Sequence, residues 1–119
     1  MTFAGLDIHK RVVEAAVIDE QGKIIHRSRF ECSREQLVLF ATRHLRDAHV
    51  AVEATTNTLA VVDVLRPHVR EIVVSNPLRT RAIAEAKVKT DKIDAMVLAQ
   101  LLRADFLQRV WQPADSTRE

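Results

Sequence analysis

Three strand-length runs follow one another at the N-terminus, and the connections between them are too short to hold a helix. Residues 3–8 are apolar apart from Asp7, residues 12–18 carry only Glu14, and residues 23–30 are more polar. Asp19-Glu20-Gln21-Gly22 separates the second run from the third and reads as a turn, with Gly22 free to take a positive φ. A parallel connection needs a crossover of about a dozen residues or more, so strands joined this closely pair antiparallel. The chain is therefore expected to open as a three-stranded meander with its polar third strand nearer an edge.

The pattern then changes period. Ser33-Arg34-Glu35-Gln36 fits a capping box ahead of a helix whose apolar stripe is Leu37, Phe40, Ala41 and Leu45. Residues 50–54 read as a fourth strand. A helix from about Thr56 to Leu65 follows, with Leu59, Val62 and Leu65 expected to face inward and Pro67 beyond its end. Residues 72–74 make a short fifth strand. Asn76 caps the next helix with Pro77 in its first turn, where the missing N–H costs little. The basic loop 87–90 leads into a last helix over about 91–105. The order β-β-β-α-β-α-β-α-α predicts an α/β fold, a mixed five-stranded sheet of three antiparallel strands with parallel additions, and helices packed on it. With 119 residues, 47% of them apolar, one domain over 1–106 is expected, and the aperiodic 107–119 reads as the start of a linker.

Composition removes several functions. Four Phe, one Trp and no Tyr leave little for a base-stacking platform. Cys32 stands alone, so neither a disulfide framework nor a thiolate cluster is available. No apolar stretch approaches the ~20 residues of a membrane span, and no secretion signal opens the chain, which favours a cytoplasmic protein. The net charge of +2 identifies no partner. Its distribution says more: Arg66, Arg70, Arg79, Arg81, Lys87, Lys89 and Lys92 face only Glu71, Glu85 and Asp91 over the same stretch. Such a segment is either a nucleic-acid approach surface or a solvated helix face.

The acids carry the sharper signal. Asp7 interrupts an apolar strand, where an isolated carboxylate is disfavoured unless paired, protonated or bound to a cation; the alternative is a strand end turning toward His9-Lys10. Glu53 ends the fourth strand, at the edge where α/β sheets gather ligands. Asp91 and Asp94, three residues apart before an apolar run, are expected on one face of the last helix, as caps, as cation ligands, or as both. Four carboxylates from two strands and a helix suit hard divalent cations, magnesium or manganese, two of which can clamp an in-line phosphoryl displacement. His9, His26, His44, His49 and His68 are scattered and read as surface residues.

Gly5-Leu6-Asp7-Ile8-His9-Lys10, Val52-Glu53-Ala54-Thr55, Val74-Ser75-Asn76-Pro77-Leu78-Arg79 and Lys89-Thr90-Asp91-Lys92-Ile93-Asp94-Ala95 occur in this order. Together they resemble the N-terminal domain of the insertion-sequence one-ten family of DEDD transposases, the bridge-RNA-guided recombinases, whose domain is ribonuclease H-like. The resemblance implies a catalytic transposase domain in which Asp7, Glu53, Asp91 and Asp94 bind magnesium or manganese for DNA strand cleavage and transfer. DNA is the implied partner, together with a guide RNA; Arg79, Arg81, Lys87, Lys89 and Lys92 are the candidate phosphate contacts. A homo-oligomer, a dimer first, is expected. Where many members carry a Thr-Gly-Gly-Tyr-like turn after the Glu, this chain has Thr55-Thr56-Asn57-Thr58. The family also implies a C-terminal domain with a nucleophilic serine. None of Ser28, Ser33, Ser75 or Ser116 has that context, so the isolated chain is expected not to complete recombination. Two other readings stand beside this one: an actin- or sugar-kinase-like phosphotransferase, although no glycine follows Asp7, and a non-catalytic nucleic-acid-binding module.

Overall fold

In the computed structural model, residues 1–54, 58–90 and 93–107 are described. The three N-terminal runs form the expected meander: β1 (Phe3–Ile8), β2 (Val12–Ile18) and β3 (Ile24–Glu31) pair antiparallel. β4 (His49–Glu53) joins β1 in parallel and β5 (Glu71–Ser75) joins β4 in parallel, giving the order β3-β2-β1-β4-β5. β1 is thus central and β3 an edge. This is the mixed five-stranded sheet of a ribonuclease H-like fold. The β2–β3 turn closes around Asp19, whose Oδ1 accepts from the N–H groups of Gln21 and Lys23 at 2.9 Å each, with Gly22 at φ 86°.

Four helices cover the two faces: α1 (Arg34–His44), α2 (Thr58–Leu65), α3 (Pro77–Lys87) and α4 (Ala95–Arg103). Ser33 caps α1 by accepting from Gln36 N–H at 3.2 Å, while its own N–H donates to the Glu31 carbonyl. Asn76 caps α3 through the N–H groups of Leu78 and Arg79, with Pro77 in the first turn. One core, from Ala4, Leu6, Val50, Val52 and Ile72, lies under α1 and α2; the other joins Ala51 and Val73 to Ala84 of α3 and to Leu98, Leu101 and Leu102 of α4. The leucines of α4 are therefore core and do not form a free surface. Cys32 packs against the edge of the first core as a partly buried hydrophobe.

Two expectations need correction. Leu59 is 79% exposed. Thr58 turns inward instead, its hydroxyl donating to the Glu53 carbonyl at 2.9 Å, so the buried stripe runs Thr58, Val61, Val62, Leu65 and Leu59 falls outside it. The last helix begins at Ala95 rather than near 91. Asp94 stands before it in extended conformation, φ −121° and ψ −176°, as its N-cap. The premise of two acids on one helical face therefore does not hold for Asp94.

α4 meets β1 at Gly5. A Cβ at that position would lie 2.0 Å from the Ala95 carbonyl oxygen, 2.7 Å from Ala99 N and 2.8 Å from Leu98 Cβ. Only glycine lets the helix backbone come so near the strand. At the other end of α4, Arg103 donates to the Glu20 carbonyl and Gln100 to that of Gly22, tying the helix to the β2–β3 turn. Its N-terminus is thereby directed toward the carboxyl end of β1, where Asp7 lies.

Candidate functional site

Side chains opposite one another on paired strands share a face, and the register assembles a polar row at one end of the sheet. Asp7 of β1 is opposite Glu14 of β2, which is opposite Arg29 of β3. On the other side, the parallel register ends with Leu6 beside Val52, so the next residues, Asp7 and Glu53, are neighbours at the carboxyl ends of β1 and β4. Glu53 in turn is opposite Ser75 of β5. The row Arg29, Glu14, Asp7, Glu53, Ser75 faces the side covered by α3 and α4, because Gly5, Ala51 and Val73, two residues earlier on their strands, contact those helices or share their core.

Asp7 and Glu53 differ in surroundings. The Asp7 side chain is 27% exposed, with its Oδ2 3.2 Å from His9 Nε2. Glu53 is likewise half-buried, and its Oε2 is buried without a hydrogen-bond partner. Burial pushes the Glu53 carboxyl above its ordinary value, the neighbouring Asp7 carboxylate pushes it further, and Arg81 acts in the opposite direction. A carboxylate that is both desolvated and placed beside another favours either a proton or a cation.

The remaining predicted residues divide. Asp94 Oδ1 accepts from Val97 N–H at 2.9 Å, so one oxygen is committed to the helix. The residue also lines an open pocket of about 330 Å³ with Glu14, Arg27, Ser28 and Arg29. Asp91 and Lys92 lie outside the described residues, as do Thr55, Thr56 and Asn57 and the tail 108–119. Among the described residues, no group of three His, Cys, Asp or Glu side chains is arranged to hold a metal ion. Asp7 and Glu53 supply oxygen donors, the type that hard divalent cations take.

The described basic residues are spread over α3 and the turn after it. Thr80 and Ala84 mark the buried side of α3, and Arg79 and Arg81 flank that stripe on opposite sides. Lys87 sets its ammonium 5.2 Å above the Phe106 ring, and Lys89, at φ 66°, is exposed in the turn after α3. Among the described members of this set, Arg81 is the one whose charge acts on the Glu53 carboxyl.

The histidines are less uniformly superficial than expected. His49 is largely buried and bonds Glu71 through Nδ1, while His26 and His44 stack at 3.9 Å beside Phe40. The sequence reading placed Ser75 in the family motif and found it without the nucleophile's context, but gave no role to it or to the Glu14–Arg29 pair, whose charges approach to 3.5 Å. For Ser75 there was a signal: a small polar residue closes the apolar run Ile72-Val73-Val74, as Glu53 closes Val50-Ala51-Val52.

A family model described as a transposase, of the DEDD insertion-sequence one-ten type, matches residues 4–119. The chain belongs to that transposase family. No curated protein matches this transposase domain in sequence. Among solved structures, the inorganic polyphosphate/ATP-glucomannokinase from Arthrobacter sp. strain KM is similar, with a TM-score of 0.51 at 15% identity, covering 76% of this chain and 50% of that one. The ethanolamine utilization protein EutJ from Carboxydothermus hydrogenoformans gives 0.43 at 13% identity, with coverage of 71% and 40%. A putative N-acetylmannosamine kinase from Listeria monocytogenes gives 0.41 at 18%, with coverage of 71% and 38%. The transposase domain thus spans half or less of the length of these proteins. The first of them shows a shared fold, and at 15% identity it shows nothing more.

Proposed function

We propose that this domain supplies the acidic, cation-binding half of a DNA transposase active site, acting on a phosphodiester in strand cleavage and transfer. The observation that carries the reading is that Asp7 and Glu53 follow directly after the last paired residues of adjacent parallel strands and their charges interact, with Glu53 Oε2 buried and unpartnered. Asp7 and Glu53 would hold magnesium or manganese, and Asp91 and Asp94 would complete the set from the segment leading into α4. A bound cation of this kind neutralises charge on the scissile phosphate and polarises its oxygens. Asp94 would serve with the oxygen its cap does not use. Arg81 would approach the phosphate from α3, with Arg79, Lys87, Lys89 and Lys92 as further contacts along the DNA or a guide RNA. The serine nucleophile would come from a separate domain of the full transposase, and assembly as a homodimer would bring two such sites together.

The test is magnesium-dependent cleavage of branched DNA and transposition by the full transposase carrying this domain. Asp7→Asn and Glu53→Gln should each lower both activities by about 10²–10³-fold if the lost charge faces the transition state, while the domain stays folded. Wild-type transposition by either variant overturns the reading. Replacing Arg81 with Ala should weaken DNA binding and lower the slope of log K against log salt by about 0.9. The phosphotransferase reading draws on the fold shared with the glucomannokinase. Against it, Ile8-His9-Lys10-Arg11 follows Asp7 with no glycine to cradle a nucleotide phosphate. ATP binding by the domain would revive it.

A further inference from the structure

Ser75 is fully buried, and its Oγ has no hydrogen-bond partner. A bare hydroxyl in a dry interior is disfavoured, and alanine at that position would avoid the cost. Its neighbour in register is Glu53, whose Oε2 is also buried and unpartnered. The other buried unpartnered side-chain atoms among the described residues are ring or guanidinium nitrogens of His49, Arg66 and Arg103, which engage in other interactions. Only Glu53 and Ser75 are orphans facing the same side from adjacent strands.

The surrounding main chain leaves those two groups little else to bond. The Glu53 carbonyl accepts from the Thr58 hydroxyl at 2.9 Å. The Ser75 carbonyl accepts from Ala54 N–H at 2.9 Å. Both backbones are therefore fixed, and what remains free is a rotatable hydroxyl and a carboxylate oxygen. Beyond Ser75, Asn76 starts α3, so the same junction that sets the hydroxyl beside Glu53 also carries Arg81 toward it.

We infer that Ser75 is a positioning residue for Glu53. With a cation bound, its hydroxyl would donate to Oε2, the oxygen that is unpartnered here, and so leave the other carboxylate oxygen to the cation. A ligating carboxylate is commonly hydrogen-bonded through its second oxygen, and loss of such a partner weakens metal affinity by about 10–100-fold. The inference rests on the proposed cation site of Asp7 and Glu53, and goes beyond it by assigning Ser75 a role that neither charge nor exposure reveals.

The experiment is a manganese titration of the 119-residue chain, followed by calorimetry, beside thermal melts in EDTA. Wild type should bind, and Ser75→Ala should bind about 10–100-fold more weakly while melting at the same or a higher temperature without metal. Ser75→Cys, close in size but a poor donor, should lose affinity likewise and serves if the alanine variant does not fold. Rescue by Ser75→Thr, which keeps the hydroxyl, would support the inference further. Equal manganese affinity in wild type and Ser75→Ala overturns the role of Ser75 and leaves the acid pair standing. A lowered melting temperature with unchanged affinity overturns it as well, since Ser75 would then be structural only. Absence of manganese binding by wild type overturns the acid pair itself, and the inference with it.

Discussion

Glu53 folds at a disadvantage that depends on pH. Its carboxyl is raised by burial and by the Asp7 carboxylate, so the folded state holds a proton that the unfolded state has already released. Such a group contributes stability fully below its unfolded value of about 4.5, and that contribution disappears as pH rises through the higher folded value. Glu53→Gln should therefore melt above wild type at neutral pH in EDTA, with the difference closing as pH falls below about 4.5. A variant that melts lower at pH 7 would show that ionised Glu53 stabilises the fold. His44 has the opposite sign. Desolvation lowers its value, followed by the charges of His26 and Arg43, so its contribution is present above about 6.5 and is lost as pH falls. Gly5 has nothing to do with charge. A methyl group there collides with the α4 backbone, which cannot move aside as a flexible side chain would. Gly5→Ala should cost about 3 kcal/mol or more, read by denaturant unfolding.

At the scale of elements, Asp94 separates two functions that share one side chain. Asp94→Ala removes the cap on Val97 N–H and should cost about 1 kcal/mol of stability. Asp94→Asn keeps an accepting oxygen and should cost little, yet it removes a negative charge beside the sheet edge. If the asparagine variant retains stability but loses magnesium-dependent cleavage, the acid serves the cation; if cleavage survives, Asp94 is a cap alone. Most of these elements were legible in the sequence because each carries its own punctuation: Gly22 in its turn, Ser33 and Asn76 as caps, and apolar runs of strand length. Capping also explains the error at α4. An Asp three residues from another Asp can stand inside a first turn or before it, and local sequence does not discriminate between the two. Leu59 misled for a related reason. Thr58 takes the inward position once its hydroxyl has the Glu53 carbonyl to bond, a tertiary contact that helical periodicity does not contain. Asp7 and Glu53 could be picked out as anomalies in apolar strands, whereas Ser75, although it closes an apolar run as Glu53 does, is set beside Glu53 only by the parallel register of β4 and β5.

At the scale of the whole molecule, a central sheet separates two apolar layers, and the polar row lies where three strands end beneath α3 and α4. A cation bound there is bound by the folded chain alone, so its binding adds to global stability. Magnesium at a hundredfold excess over Kd should add about 2.7 kcal/mol, and the gain should vanish in Asp7→Asn. Chemical denaturation with and without magnesium measures it, and an equal gain in the variant would locate the cation elsewhere. The contact at Gly5 bears on how the site responds to its own charge. Carboxylates crowded at the end of a flexible frame would relieve their repulsion by drifting apart. Here hydrogen bonds hold β1 to β4, and touching main chains bring α4 down on β1, so neither strand nor helix can give way. Repulsion that motion cannot relieve is answered by a proton, by the Arg81 charge or, under the proposed function, by a bound cation.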